Sequence, residues 1–453
     1  MSDVPSRPNR HVLGMIFLTV LMDIIGFAII IPMFPGLLTH YLQAEGAPGT
    51  LVTMMADLAK SVAGTEPRPE LLVAVLFGGL LSAVFSGLQF VCSPFWGALS
   101  DRIGRRPVLV ATLCGNMFAY VLWIFSGQFW VLLVSRVLCG LAAGNIAVAS
   151  AAAADITDRE NRTKGMAVVG VAIGLGFLLG PVIGGFSSLW VLPHAVENIP
   201  ALALNPFSGP AIIAAGMATA NFLIVWRFFP ETHTKKGLNT ETRPTFFAIA
   251  RVQDGGVRRA SVANLLYQIA FTGMENTVVF LTAALFLFLP QDNAWLFLSN
   301  GLCLIIAQGV AARVLVKRIG ERAVAGLGFL TGAVALAAIA FIPYPEVGQT
   351  AMEWKSLFFI ATGLLAFATG LILPSLSALV SLYSSPDQQG RNLGILRSAG
   401  ALARIVGPLA AAYVFFRMGT HQWVYLAGAI LMAPGLWMIT RLPNPRGSAA
   451  GQS

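Results

Sequence analysis

Apolar positions along this chain do not alternate with polar ones but come in long unbroken runs. Each run of about 20 apolar residues is long enough to cross a bilayer as a helix. They fall at 12–38, 71–98, 108–126, 129–153, 165–188, 210–229, 260–288, 293–316, 323–343, 355–382, 393–416 and 420–441. The pattern predicts an all-α membrane protein with twelve transmembrane helices. The longest polar cytoplasmic stretch, 231–259, follows the sixth run and divides the chain into two bundles of six helices. The expected domains are therefore residues 1–230, a cytoplasmic linker at 231–259, and 260–453 with a short cytoplasmic tail. In the outer loop 39–69, "TLVTMMADLAKSV" (50–62) has the spacing of a short amphipathic helix.

Composition agrees with a lipid environment. Of 453 residues, 56% are hydrophobic and 11% charged, against about 25% charged in soluble domains. The mean hydropathy is +0.75. A net charge of +9 raises the question of nucleic acid, but the placement of the 29 Lys and Arg answers it. With the N-terminus in the cytoplasm, the outer side receives Lys60, Arg68, Lys355 and Arg417. Arg136 and Arg404 lie inside helices, and all the others fall on the cytoplasmic side, as the positive-inside rule requires. Both termini are then cytoplasmic, and the expected partners are the bilayer and a small organic substrate, with no nucleic acid and a monomeric chain. The start "MSDVPSRPNRH" reads as the lead into a retained first helix, since no small-residue cleavage site follows it. The N-x-[ST] match at Asn161-Arg162-Thr163 falls on the cytoplasmic side, which fits a bacterial inner membrane.

Little in the chain points to catalysis. The 4 Cys sit in apolar runs without C-x-x-C spacing, and the 5 His lie in loops or at helix ends. G-x-S-x-G and H-E-x-x-H are both missing, so neither an enzyme nor a metal site is expected. A signalling receptor is disfavoured because no soluble domain is attached. "GLGFLLG" (174–180) imitates a nucleotide-binding glycine loop, but its spacing is wrong and no strand precedes it.

An internal repeat supports two related halves. "SDRIGRRPV" (100–108) recurs as "VKRIGERAV" (316–324), and "FLLGPVIGG" (177–185) recurs more weakly as "RIVGPLAAA" (404–412). "GALSDRIGRRP" (97–107) resembles the signature loop of the major facilitator superfamily. "RVLCGLAAGN" (136–145) resembles its helix 4 arginine motif, and "GFLLGPVIGG" (176–185) its helix 5 antiporter motif. Within that superfamily, "LMDIIGFAIIIPMFP" (21–35) is similar to helix 1 of the tetracycline-efflux proteins among the twelve-helix drug:proton antiporters. "QFVCSPFWGALSDRIGRRPVLV" (89–110) and "GALARIVGPL" (400–409) also look like animal tetracycline-transporter-like members, and the outer loop 39–69 is long for a bacterial tetracycline exporter.

The resemblance implies a cytoplasmic gate built from Gly97, Asp101, Arg102, Gly104, Arg105, Arg106 and Asp155. Asp101 is expected to face the start of helix 11, and the arginines to reach Asp155 at the end of helix 4. Gly97 is expected to permit close helix approach, although the same residues also serve as a topology signal. In the second half Lys317 stands in place of the aspartate, so the lock there is weaker or absent. Gly176, Gly180 and Gly184, with Gly185 beside them and Gly170 and Gly174 before, give helix 5 a smooth face for backbone contact, and Pro181 bends it. A moving seam between halves and ordinary tight packing both fit that face.

Four ionisable residues lie deep in the spans: Asp23, Arg136, Glu275 and Arg404. A charge at the bilayer centre costs roughly 2.5–3.5 kcal/mol on insertion scales and usually has a partner or a task. At 1.5 Å per residue, Asp23 and Arg136 come to similar depths, as do Glu275 and Arg404. Two ion pairs are therefore expected, either purely structural or serving to bind and release a proton. The proton-coupling candidates are Asp23, Arg136 and Glu275; the cavity candidates are Gln89, Asn145, Gln268, Asn276 and Arg404. Asn116, Asn221, Asn300 and Gln308 are further polar positions suited to helix-to-helix hydrogen bonds. The 30 Phe and 9 Trp suit an aromatic pocket as well as a lipid-facing surface.

The expected function is secondary active transport: export of amphipathic organic molecules by alternating access in exchange for protons, with no cofactor beyond the coupling proton. The alternative is an organic-anion or lipid transporter of the same fold, as a uniporter or with different coupling.

Overall fold

Hydrocarbon offers a backbone no outside hydrogen-bond partner, so each apolar run has to satisfy its own amides as a helix. In the computed structural model, which describes residues 10–63, 69–157, 162–190, 192, 202–232, 254–345, 349–384, 389–418 and 420–442, that is what the runs do. The helices are α1 (Arg10–Ala28), α2 (Phe34–Ala44), α3 (Leu51–Ala63), α4 (Pro69–Ile103), α5 (Arg105–Ile124), α6 (Phe129–Ala142), α7 (Asn145–Asp155) and α8 (Arg162–Ser187). They continue as α9 (Ser208–Phe228), α10 (Gly255–Phe286), α11 (Pro290–Ile306), α12 (Ala312–Ala340), α13 (Lys355–Tyr383), α14 (Gln389–Met418) and α15 (His421–Thr440). Among the described residues the one β-type pairing is an isolated bridge between Ser126 and Leu202.

Eleven helices among the described residues are long and apolar enough to cross a membrane. The apolar run at 293–316 is accounted for differently. There α11 has 17 residues, a π-helical segment Ala307–Ala311 follows, and α12 takes over until Gly320 interrupts it at φ 81°. Helical backbone thus runs from Pro290 to Gly320, and the twelve-run pattern and the all-α class both hold.

Three boundaries differ from the sequence expectation. The first run does not end at 38: a 3-10 turn at Ile31–Met33 carries Pro32, which lacks an amide donor, and α2 then continues to Ala44. The fourth run, expected as one helix over 129–153, is two. Its backbone unwinds at Ala143 and Gly144, where the Trp96 side chain fills the space a Cβ on Gly144 would need. The expected linker 231–259 lies outside the described residues from 233 to 253, and its end already belongs to α10, where Asp254 Oδ1 accepts from the Val257 amide at 2.8 Å.

The described residues group into two compact units. The first draws on Met1–Asp57, Val84–Pro244 and Pro290–Ala294; the second on Leu58–Ala83, Thr245–Leu289 and Trp295–Ser453. In the first unit Ile16, Val20 and Ile24 recur every fourth residue along α1 and pack with Leu109 and Leu113 of α5, Val148 and Ala152 of α7, and Val169 and Ala172 of α8. In the second unit α10 packs on α13, α14 and α15, and α12 on α13 and α15.

The turn between α4 and α5 depends on one glycine. Gly104 has φ 106° and ψ 158°, a region essentially reserved for glycine. Beside it the Glu231 carboxylate caps α5, accepting from the amides of Arg105 (2.8 Å) and Arg106 (3.1 Å), a favourable place for an anion. A Cβ on Gly104 would fall on that carboxylate. Gly104→Ala should therefore cost about 1–3 kcal/mol, read as a lowered Tm in detergent, whereas Gly97→Ala, with nothing within 4 Å of its added carbon, should melt near wild type. The repeat is visible here in detail. Arg106 Nη2 donates to Trp226 O (2.6 Å) near the end of α9, and Arg322, two residues after Gly320, donates to Leu442 O (2.7 Å) and Thr440 O at the end of α15.

Candidate functional site

In the first unit Asp23 is half-buried on α1 and faces α5 and α7. Asn116 of α5 and Asn145 of α7 each donate from Nδ2 to Asp23 Oδ1, at 2.7 and 2.9 Å. Asn145 can reach because the break at Ala143–Gly144 makes it the first residue of α7, and its Oδ1 accepts from Thr112 Oγ1. Broken helices at membrane depth are tolerated where they are buried in protein or line a cavity. Asp23 Oδ2 takes no hydrogen bond from the described residues. One helical turn further out, Phe27 stacks on Phe85 at 4.4 Å between centroids and meets Phe177 edge-on at 5.9 Å. Gln89, one turn along α4 from Phe85, is half-buried. A carboxylate with one open oxygen thus lies beside a cluster of aromatic faces.

Arg136 does not join that carboxylate. It is 3% exposed, and its guanidinium lies 4.7 Å from the Trp123 ring centroid and 5.6 Å from that of Tyr120, both on α5. Nη2 donates to Ser135 Oγ at 3.3 Å, and Nε has no hydrogen-bond partner among the described residues. The expected Asp23–Arg136 ion pair is therefore corrected. Equal depth brings two residues to one level but does not fix which way each points. Here two amides hold one oxygen of the acid, and π faces take up the cation.

In the second unit Glu275 (α10) and Arg404 (α14) are both half-buried and interact electrostatically. The ion pairs within 4 Å among the described residues are the two of Arg105, so the expected Glu275–Arg404 contact pair is also corrected. The reason lies in how the helices cross. Asn264 Nδ2 reaches Leu396 O, Thr272 Oγ1 reaches Ala403 O, and Gly273 lies against Gly407, so the helices run parallel with Glu275 about one turn further along than Arg404. Gln268 packs at Gly400. Asn276 Nδ2 donates to Thr272 O at 3.0 Å, and its Oδ1 accepts from Ser82 Oγ at 2.5 Å.

At the turn between α4 and α5 Arg105 is the hub. It bonds Asp101 (2.5 Å), Asp155 (2.8 Å) and Ser100 Oγ (2.7 Å), while Arg102 is exposed. Among the described residues nothing lies within 4 Å of a carbon added at Gly97, which corrects the expected close helix approach there. The glycine face of α8 meets α1 instead. Gly176 abuts Ile24, Gly180 abuts Ala28 and Ile25 O, Gly184 lies on Ile29 O, and Pro181 sits inside the helix. Gly185 meets Pro290 and Ala294, which belong to the same unit, while a carbon added at Gly170 or Gly174 would meet nothing within 4 Å among the described residues.

Sequence reasoning passed over three participants. Asn116 stood among the plain polar positions, although an amide at the depth of Asp23 is a natural donor to it. Glu231 directly follows Pro230 at the end of the sixth run, an anion placed where a helix start lies near. Glu45, just beyond α2, accepts from the Phe129 amide at 2.5 Å at the start of α6; burial pushes its carboxyl up, and that bond opposes the push.

The chain is 34% identical to bovine Major facilitator superfamily domain-containing protein 10 (Bos taurus), covering 97% of this chain and 94% of that one. It is 26% identical to Tetracycline resistance protein, class E, of Escherichia coli, covering 96% of each. Its structure is similar to that of the human organic anion transporter MFSD10 (TETRAN), with a TM-score of 0.70, 32% identity, and coverage of 96% of this chain and 100% of that one. Since both animal and bacterial proteins are among these relatives, the expectation of a bacterial inner membrane draws no support from them. The model for the Major Facilitator Superfamily matches residues 16–291 and 265–453, and the chain belongs to that superfamily of transporters as a multi-pass integral membrane protein.

Proposed function

We propose that this transporter moves amphipathic organic molecules out of the cytoplasm in exchange for protons, and that Asp23 carries the proton. The observation behind the reading is the Asp23 carboxylate itself, with Oδ1 held by two amides and Oδ2 taking no hydrogen bond from the described residues. Neutral donors orient the carboxylate yet leave it to gain or lose a proton, whereas a contact ion pair would hold it ionised. The ring cluster Phe27, Phe85 and Phe177 gives planar substrates a surface to stack on. Tetracyclines are one such class, consistent with the bacterial relatives' name.

The test is accumulation in proteoliposomes carrying an imposed pH gradient. Tetracycline or tetraphenylphosphonium should concentrate in vesicles with an acidic lumen and not in vesicles at uniform pH. Equal accumulation with and without the gradient would overturn proton exchange.

A second reading is an organic-anion transporter, in keeping with the description of human MFSD10. What favours it is Arg404, a half-buried cation in a span with no carboxylate of the described residues within 4 Å. Labelled p-aminohippurate should then be taken up and competed by other organic anions.

A further inference from the structure

Arg404 and Glu275 sit on the two helices that cross at Gly273 and Gly407, about one turn apart. Each feels the other's charge without contact. Neither makes a hydrogen bond to the described residues, and neither is fully enclosed. In hydrocarbon such a gap between opposite charges is costly to leave open, and it leaves the guanidinium's planar fork of donors unused.

Among the described residues the cation that acts on Glu275 is Arg404. The α14 segment carries Arg391, Arg397, Arg404, Tyr413 and Arg417; Arg404 acts on Glu275, and Tyr413 is exposed. From α13 the titratable groups are Lys355 and Tyr383, at its two ends. From α15 they are His421, held at Ile342 O, and Tyr425, hydrogen-bonded to Thr277. On α10 itself Tyr267 interacts electrostatically with Glu275 while its hydroxyl donates to Thr369 Oγ1, and Arg258 and Arg259 stand at the start of the helix.

We propose that Arg404 is the subsite for the carboxylate or sulfonate of an organic anion, and that Glu275 gates it by proton uptake. This deepens the anion reading above and rests on it. While Glu275 is ionised, its charge offsets that of Arg404, and a second anion entering the gap meets repulsion. Once Glu275 takes a proton from solution, Arg404 is left without a counter-charge and accepts the substrate anion through charge-assisted, bidentate hydrogen bonds. Anion and proton bind together at this site, so the pair moves as a neutral unit. That is the opposite linkage to the proton release proposed for Asp23. Gln268 and Asn276, half-buried on the same helix, are placed to contact the bound anion's polar groups.

The test is equilibrium binding of labelled p-aminohippurate to the purified full-length protein across pH, with tetraphenylphosphonium binding as the control for folding. Wild-type affinity should rise as pH falls, by up to about tenfold per pH unit for one linked proton. Glu275→Gln, a permanent mimic of the protonated acid, should bind with the wild type's low-pH affinity at every pH. Arg404→Gln should lose p-aminohippurate and keep tetraphenylphosphonium, and Arg404→Lys should recover part of the anion binding if Arg404→Gln proves unstable. Anion binding by wild type that is flat with pH, or weakened throughout in Glu275→Gln, overturns the gate. No anion binding by wild type at any pH overturns the anion reading itself.

Discussion

Asp23→Asn is expected to fold, to bind substrate and to exchange it across the membrane down its gradient, but to lose proton-driven accumulation down to the level of protein-free vesicles. The substitution keeps the size of the side chain and replaces one oxygen with an amide nitrogen. Asn116 and Asn145 can still donate to the remaining carbonyl oxygen, so α1, α5 and α7 stay joined. What disappears is a group that exists in two charge states. Substrate counterflow, which needs no net proton movement, separates this loss from a protein that no longer rocks between its states. Asp23→Ala would be less informative, because it strands both amides in a low-dielectric setting and invites repacking.

Gly184→Val is expected to have the largest effect on folding. A Cβ on Gly184 would collide with the carbonyl of Ile29, a backbone atom that cannot turn aside, just where α1 gives way to the 3-10 turn. Overpacking of this kind costs roughly 1–3 kcal/mol, and membrane helices have little hydrophobic drive to restore their contact once it is lost. Purified yield and Tm should both fall. Gly170→Val is the matched control: it lies on the same helix with nothing within 4 Å of its added carbon, and it should behave as wild type. Because this glycine face lies on α1, the helix that carries Asp23, a milder change such as Gly180→Ala should disturb transport before it disturbs folding.

How far the sequence reached follows from what each residue has to do. Helices in lipid are forced by the backbone, so the runs announced themselves, and Gly104 and Gly320 recur at matching places in the repeat because each turn needs a positive φ. Small residues in α8 declared a close contact but not its partner, since a glycine records only that something comes near. Depth along a helix was readable from residue counting for Asp23 and Arg136. Azimuth was not, because it depends on the unwinding at Ala143–Gly144 and on the Trp123 and Tyr120 rings offering Arg136 another partner. Glu231 was hidden for a related reason: its role is to cap a helix 126 positions away in the chain.

The most direct measurement is proton release from the purified protein in weak buffer on adding tetracycline or tetraphenylphosphonium, with wild type set beside Asp23→Asn. Proton carriage by Asp23 predicts release from wild type on binding and none from Asp23→Asn, with binding in both verified by tryptophan quenching. Equal release from both proteins, or binding by wild type without any release, would contradict it.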